Sequence, residues 1–224
     1  MRAGWVRALW TTPLFFWIGM YIVVGLRWIG NWAPIYDWTI IVLVGGLVAA
    51  PIGFLLGLGA FDYWLYYISG RKTRPEDHSQ HGASSWKSYF GVNTDHKVIG
   101  IQYTSLTFVF FAIGGLMAML FRAELANPGL QFFDSQTFNG LVSVHATLLI
   151  FLFIVPVFAG LGNFVIPLML GAPDMAFPRL NALSFWFLPI GGVMFLVSFF
   201  APGGPFAAGW TGYAPLATDT PVGS

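Results

Sequence analysis

Residues 138–168 read FNGLVSVHATLLIFLFIVPVFAGLGNFVIPL, and this stretch decides the class of fold. It contains no aspartate, glutamate, lysine or arginine, and it is longer than the roughly 20 apolar residues that an α-helix needs to cross a bilayer. Its one ionisable side chain, His145, lies about two turns inside the predicted helix. The stretch therefore predicts a membrane-spanning helix with one ionisable group at lipid depth.

Four further stretches are long and apolar enough to span a membrane, which gives about five spans in an all-α membrane protein. They are residues 8–28, 38–67, 98–121 and 182–203. The first follows a basic N-terminus but reaches Leu26 without a small-residue cleavage site, so we expect a retained helix rather than a signal peptide.

The composition of the whole chain supports the same class. Of the 224 residues, 57% are hydrophobic and only 8% are charged, whereas a soluble domain has about a quarter of its residues charged. The net charge of +1 gives no reason to expect a nucleic-acid partner. The absence of cysteine excludes disulfides, zinc–thiolate sites and iron–sulfur clusters formed by this chain alone.

The distribution of cations predicts the orientation. With the N-terminus inside, the inner segments carry eight cations and the outer segments carry only two, Arg27 and Arg122. The eight are Arg2, Arg7, Arg71, Lys72, Arg74, Lys87, Lys97 and Arg179. The positive-inside rule therefore predicts a cytoplasmic N-terminus in a multi-pass protein, and we expect a bacterial plasma membrane.

His145 is open to two interpretations from the residues alone. A polar side chain at lipid depth is costly unless it is paired, so an intramembrane histidine is a functional candidate. A neutral imidazole can be an axial ligand of haem iron, with its second nitrogen bonded to a carbonyl or hydroxyl group. A hydrogen bond between two helices explains the same residue equally well.

The other three histidines, His78, His81 and His96, lie in the inner polar segment, where we expect them to be solvated. His78 and His81 lack a third ligand nearby, which disfavours a metal site.

Arg122 is the second candidate on the outer side, at a level similar to that of His145. Two cations side by side are unfavourable unless an acceptor such as a haem propionate lies between them. The alternative is an ordinary arginine whose long side chain reaches the outer surface.

On the inner side, Asp174 lies between Pro173 and Pro178, in a turn that cannot continue a helix. Asn163 and Asn181 flank it. One carboxylate with amides on both sides can line a hydrated proton path, although simple loop punctuation explains these residues too.

From Thr94 onward, about 130 residues resemble subunit I of the haem–copper oxidases, the cytochrome c oxidase type. The resemblance is carried by TDHKVIGIQY (94–103), FRAELANPG (121–129), VSVHATLLIF (142–151), GNFVIPLMLGAPDMAFPRLNALSFW (162–186) and GWTGYAPL (209–216). It implies two regions: an extra N-terminal pair of helices in residues 1–93, and a partial oxidase domain in residues 94–224. The last three spans then resemble the first three helices of the family's twelve-helix bundle.

The resemblance assigns roles on the outer side by position. His145 resembles one axial ligand of the low-spin haem, which we expect to be haem A. Arg122 resembles the arginine that hydrogen-bonds the periphery of that haem. Trp210 resembles the tryptophan packed near the propionates of the high-spin haem.

On the inner side, Asp174 resembles the carboxylate at the mouth of the proton path called the D channel. Asn163 and Asn181 resemble the asparagines that order water above it. The family often has a second asparagine where this chain has Ala182, so the fine tuning of the proton entrance differs.

The resemblance implies a respiratory, proton-pumping terminal oxidase that reduces oxygen to water. The high-spin haem, the copper ligands and all catalytic residues are expected in the remainder of subunit I, so the chain is expected to be a fragment or one part of a split subunit. Oxidase subunits II and III are the expected partners, with cytochrome c as electron donor. The quinol-oxidising branch has a histidine and a glutamine where this chain has Thr137 and Gly140, which favours cytochrome c over quinol.

Two readings from other classes remain open on the residues alone. A transporter or channel would explain the polar intramembrane residues as a substrate path, but would leave His145 without a partner. A non-catalytic assembly protein would use residues 1–93 to bind its partner.

Overall fold

The computed structural model of the chain describes residues 2–72, 82–201 and 203–219, and the described residues form helices and turns without any strand. Five helices are long and apolar enough to cross a membrane, as the sequence predicted. They are α1 (Arg2–Ile29), α2 (Trp38–Leu58), α4 (His96–Glu124), α5 (Ser135–Leu170) and α6 (Pro178–Val197). The short elements are α3 (Asp62–Ile68), α7 (Leu216–Asp219) and two 3₁₀ turns, at Trp86–Phe90 and Ser198–Phe200.

The prediction that the second span continues to residue 67 is wrong. Helix α2 ends at Leu58 because Gly59 adopts a left-handed conformation (φ 89°), which costs least at glycine and closes the helix. The chain then turns into α3, a separate helix of seven residues. Its first residue, Asp62, forms an ion pair with Arg7 of α1, with 3.2 Å between Oδ2 and Nη2.

The chain divides into two compact units, one of residues up to Asp95 with Phe177–Trp186, the other of His96–Ala176 with the residues from Phe187 onward. This division reflects which residues lie close together in the folded chain. The predicted regions 1–93 and 94–224 follow the family resemblance instead, and they stay a prediction.

The first unit is built on the close approach of α1 and α2. A Cβ atom added to Gly19 would lie 2.0 Å from the carbonyl oxygen of Gly45, and one added to Gly45 would lie 2.5 Å from that of Gly19. Gly53 and Gly57 approach α1 in the same way. A Cβ atom added to Gly53 would lie 2.4 Å from the Thr11 carbonyl oxygen, and one added to Gly57 would lie 2.3 Å from the Ala8 Cα. Small residues at four-residue spacing allow such backbone contact, a common basis of helix association in membranes.

The second unit packs α4 against α5. The two backbones approach each other at Gly100 and Gly160, where a Cβ added to Gly100 would lie 2.9 Å from the Gly160 carbonyl oxygen. The apolar core of the unit is formed by Met117, Leu141 and Val144, which are buried. Partly buried residues packed against them are Ile113, Phe133, Phe195, Leu196 and Phe199.

Helix α5 contains a wide π-helical turn at Leu149–Ile154, immediately after the histidine-bearing segment. Pro156 follows this turn, and its ring cannot fit against the carbonyl of a regular preceding turn. A π-turn relieves that clash and is frequent at functional sites. The helix thus changes its geometry just beyond His145.

The connection from α4 to α5 is fixed by two carboxylates. Glu124 is buried, and its side-chain oxygens accept hydrogen bonds from the backbone N–H groups of Gln131, Phe132 and Phe133 at 2.6–3.1 Å. Asp134 caps α5, because its Oδ1 accepts the N–H of Thr137 at 2.6 Å. These bonds set where α5 begins.

Candidate functional site

His145 lies deeper in its helix than the sequence indicated. Helix α5 begins at Ser135 rather than at residue 138, so His145 lies ten residues, about 15 Å, along the helix axis from its start. Its side chain is half-buried, and its ring lies edge-on to Phe121 with 5.2 Å between centroids. The site is therefore well within the span.

The imidazole of His145 makes one defined hydrogen bond. Its Nδ1 lies 2.8 Å from the backbone carbonyl oxygen of Gly114 on α4. Because a carbonyl only accepts, Nδ1 must donate, and the neutral tautomer then leaves a lone pair on Nε2. A metal-binding imidazole needs this arrangement, with one nitrogen fixed by a carbonyl and the other available to the metal. The residues present therefore fit an axial haem ligand.

The segment that contains Trp210 contacts the helix that carries His145. Ser143, two residues before His145, is buried, and its Oγ accepts the backbone N–H of Gly209 at 2.8 Å while donating to the Asn139 carbonyl at 2.7 Å. The indole of Trp210 lies 6.5 Å from the ring of Phe151 on the same helix. The structure thus brings two predicted haem-side residues to one helix, and sequence reasoning missed Ser143, which links them.

Arg122 does not pair with His145 in the part of the chain that the structure describes. It lies in the last turn of α4, eight residues or about 12 Å beyond Gly114, and its side chain is exposed. Its predicted contact with a haem substituent stays a prediction.

At the start of α4, the expectation for His96 is wrong. This histidine is 1% exposed rather than solvated, and its Nδ1 lies 2.9 Å from the backbone carbonyl oxygen of Asn163. The reason is its position at the start of α4, on the face that also buries Ile99 and Tyr103. That apolar pattern after the histidine was the signal in the sequence.

Asn163 is itself buried on α5, and its Nδ2 donates to the carbonyl of Ala159 at 2.9 Å. Asp174 follows the end of that helix, where Gly171 is left-handed (φ 65°) and Ala172 N–H donates to the Pro167 carbonyl at 2.9 Å. Oδ1 of Asp174 accepts the N–H of Met175 at 2.7 Å. Both predicted proton-path residues thus lie at one end of α5.

Asn181, the third predicted proton-path residue, belongs to the first unit. It lies in the first turn of α6, where its N–H donates to the Phe177 carbonyl at 3.0 Å and its carbonyl accepts the Ser184 hydroxyl at 2.7 Å.

Within the described ranges, no group of three or more histidine, cysteine, aspartate or glutamate side chains could hold a metal ion. His78 and His81, for which a weak metal site was considered, lie outside the described residues.

Comparison with known proteins gives a consistent result. Residues 98–223, more than half of the chain, match the model of the family described as cytochrome c and quinol oxidase polypeptide I. Cytochrome c oxidase subunit 1 of Corynebacterium efficiens is 45% identical over 150 residues, which cover 67% of this chain and 26% of that protein. Subunit 1 of Thermostichus vulcanus is 51% identical over 139 residues, which cover 62% of this chain and 25% of that protein.

A third relative is the putative cytochrome c oxidase subunit 1-beta of Streptomyces coelicolor, 51% identical over 131 residues, which cover 58% of this chain and 23% of that protein. The chain thus spans about a quarter of the length of the curated relatives that it matches.

Proposed function

Because the chain belongs to the cytochrome c and quinol oxidase polypeptide I family, we propose that it is part of the catalytic subunit of a respiratory terminal oxidase. In this proposal the complete enzyme reduces oxygen to water with electrons from cytochrome c and pumps protons. The chain contributes one side of a low-spin haem site and the entrance of a proton path. The remainder of subunit I, with the high-spin haem and copper, and oxidase subunits II and III complete the enzyme.

The observation that carries the proposal is the hydrogen bond from His145 Nδ1 to the Gly114 carbonyl. It holds the ring in one tautomer, in which the lone pair of Nε2 is available to a metal. A haem bound at Nε2 would supply one-electron transfer. Gly114 and Phe121 orient the imidazole, and Ser143 holds the Trp210 loop on the same helix.

At the opposite end of α5, Asp174 is the group that exchanges protons in this proposal. Its carboxylate follows the helix end in a turn set by Gly171, and it is partly accessible. Asn163, on the same helix, supplies an amide group that can order water, and the resemblance to the family assigns the same role to Asn181. The charge distribution supports this arrangement, since a cytoplasmic N-terminus places Asp174 on the side from which protons are taken up.

The haem assignment is tested in the assembled oxidase, purified from membranes, with the His145→Ala variant. We expect loss of the low-spin haem absorbance, because no second intramembrane histidine of the described chain occupies that level of the span. Gly115→Ala is the matched control, since an added Cβ there meets nothing within 4 Å. Retention of the full haem spectrum in His145→Ala would contradict the assignment.

The proton assignment is tested by comparing Asp174→Asn with Asp134→Asn in vesicles. We expect proton uptake to fall about tenfold or more in Asp174→Asn. Asp134→Asn should change it little, because Asp134 caps the start of α5, at the end of that helix opposite to Asp174. Equal effects of the two substitutions would overturn the assignment.

The choice of electron donor needs its own measurement. Reduced cytochrome c and a quinol are supplied in turn to the assembled enzyme, and we expect turnover with cytochrome c. Sustained quinol oxidation would place the protein in the quinol-oxidising branch instead.

A further inference from the structure

The turn that joins α1 to α2 contains a buried arginine. Arg27 lies in the last turn of α1 and is 8% exposed. The family match begins only at residue 98, so it assigns this turn no role. We propose that the turn binds the phosphate group of an anionic phospholipid, and that Arg27 is the residue that contacts the phosphate. This proposal is independent of the haem and proton roles given above.

The turn is closed around Arg27 through both its backbone and its side chain. The Arg27 carbonyl accepts the N–H of Trp32 at 2.9 Å. Its Nε donates to the Pro34 carbonyl at 2.9 Å, and its Nη2 donates to the same oxygen. An arginine that simply reached the membrane surface would present its guanidinium group to water. The side chain of Arg27 is instead folded back onto the turn, so most of its charge is withdrawn from solvent.

The buried charge of Arg27 is not balanced by a carboxylate in the part of the chain that the structure describes. The ion pair of α1, between Arg7 and Asp62, lies at the other end of that helix. The Pro34 carbonyl that Arg27 contacts is neutral. The carbonyl groups at the end of α1 favour a cation, but a helix end carries only about half a charge, which does not offset a buried guanidinium completely. An anion bound at the turn would complete the balance.

The guanidinium group of Arg27 has donors left for such an anion. It carries five N–H groups, and those on Nε and Nη2 serve the Pro34 carbonyl. Nη1 forms no hydrogen bond within the described residues, yet it is not sealed off from the surface. The planar arrangement of these donors matches two oxygens of a phosphate group, to which arginine binds more specifically than lysine does.

The position of the turn identifies the source of the phosphate. Arg27 lies near the end of the span Gly4–Ile29, where the hydrocarbon region gives way to lipid headgroups. The exposed side chains of this turn are largely aromatic: Trp28, Trp32, Tyr36 and Trp38. Exposed tryptophan and tyrosine at the ends of spans are typical of the headgroup level. The anion that this surface meets is therefore the phosphate of a phospholipid.

Asp37 is the acidic residue of the same turn, and it opposes the binding of an anion. It follows Pro34 by three residues, so the two Cα atoms are at most about 11 Å apart. The Asp37 carboxylate caps α2, because its Oδ1 accepts the N–H of Ile40 at 3.2 Å. Asparagine also caps helices, so Asp37→Asn removes a negative charge from the site while it keeps the turn.

The test uses the assembled oxidase in vesicles that contain a photoreactive lipid, either phosphatidylglycerol or phosphatidylcholine with a diazirine in the headgroup. After illumination, the lipid adducts on residues 27–38 are quantified by mass spectrometry. The variants are Arg27→Gln, Arg27→Lys and Asp37→Asn. Arg7→Gln is the matched control, since Arg7 lies on the same helix but pairs with Asp62.

We expect phosphatidylglycerol to label the parent turn about fivefold more than phosphatidylcholine does, which is the effect of one basic residue at an anionic membrane surface. Arg27→Gln should abolish this preference. Arg27→Lys keeps the charge without the planar donors, so it should keep part of the preference. Asp37→Asn should raise the preference about twofold, because a repelling charge about 10 Å away is removed. Arg7→Gln should match the parent.

Equal labelling of the parent by the two lipids, or an unchanged preference in Arg27→Gln, would overturn the inference. If Arg27→Gln fails to assemble, Asp37→Asn decides, because a purely structural role of Arg27 predicts no rise in that variant. A preference in Asp37→Asn no higher than the parent's would then reject the site. An excess of inorganic phosphate should leave the adducts unchanged. Loss of the adducts in phosphate would show that a free anion occupies the turn, and would reject the lipid.

Discussion

The pair α1 and α2 and the pair α4 and α5 are both membrane helix hairpins, yet they use their interfaces differently. Between α1 and α2, glycines at positions 19, 45, 53 and 57 bring backbone against backbone or against small residues. Between α4 and α5, polar groups take part in the contact: His96 bonds the Asn163 carbonyl and His145 bonds the Gly114 carbonyl.

The difference shows what each pair contributes. Close backbone packing leaves no room for a bound group and gives a firm support. Imidazoles bonded to carbonyls are costly to place at lipid depth and are typical of functional segments. We therefore propose that the N-terminal pair acts as a scaffold and that the second pair carries the chemistry.

The largest effect should come from filling the closest backbone contact, with Gly19→Ala. The new Cβ would lie 2.0 Å from the Gly45 oxygen and 2.5 Å from the Ala49 Cβ, so the helices must separate. We expect a loss of about 3 kcal/mol in the free energy of unfolding, measured by denaturation in mixed micelles. Gly25→Ala on the same helix meets nothing within 4 Å and should be neutral or slightly stabilising. If the two variants had the same free energy of unfolding, close backbone contact would not distinguish the first helix pair from the second.

The number and approximate limits of the spans could be predicted from the sequence, because length and hydropathy are local properties. The end of α2 at Leu58 could not, since Tyr63, Trp64 and Leu65 continue the apolar pattern beyond the left-handed turn at Gly59. The glycine interface was equally hidden. Glycines in an apolar stretch do not indicate which of them will meet a second helix.

A smaller effect is expected for Gly114→Ala, at the carbonyl that orients His145. There an added Cβ would meet the Leu149 side chain, with 2.6 Å to Cδ2, and a leucine end can move more easily than a backbone. We expect a loss of about 1 to 2 kcal/mol in the free energy of unfolding. In the assembled oxidase the low-spin haem spectrum should shift, because the carbonyl that holds the imidazole is displaced.

Gly115→Ala, one residue away, adds a methyl group in open space and serves as the control for Gly114→Ala. A loss as large as that of Gly19→Ala would show that both pairs tolerate overpacking equally poorly, and would contradict the proposed contrast.

Ser143→Ala tests whether the second pair also holds its loop through polar groups. The substitution removes the acceptor of the Gly209 N–H, and we expect a cost of about 1 kcal/mol together with faster amide exchange in the segment around Trp210. Ser143→Thr keeps the hydroxyl and should restore slow exchange. Ser198→Ala, which removes a local bond to the Phe195 carbonyl, controls for loss of a serine hydroxyl. Unchanged exchange at Gly209 in Ser143→Ala would show that the loop is held by its apolar contacts.

Candidate site residues were recognisable when their chemistry conflicted with their surroundings. His145 and Asp174 stood out as polar groups beside long apolar stretches. Ser143 did not, because a serine in a helix is ordinary in sequence, and the apolar residues after His96 indicate that it is buried but not what it bonds. Their roles depend on which carbonyl or N–H group the fold brings opposite them.

The smallest effect should be a dependence of stability on pH that arises at the start of α5, in the second helix pair. The backbone N–H of Thr137, and then its hydroxyl, lower the pKa of Asp134 below its ordinary value of 3.8. A carboxylate with a lowered pKa contributes stability that is fully present above about pH 4 and is lost as the pH falls through the folded-state value.

Unfolding of the purified protein in detergent should therefore become easier below about pH 4. Asp134→Asn still caps the helix but does not titrate, so it should flatten this part of the stability profile. Thr137→Ala keeps the backbone donor and removes the hydroxyl, so the pKa of Asp134 is lowered less. The acid loss of stability should then be smaller, and it should be complete at a higher pH than in the parent. An Asp134→Asn profile that falls as steeply as the parent's would show that other groups control the acid limit, and that the start of α5 is held by Glu124 and apolar packing rather than by its cap.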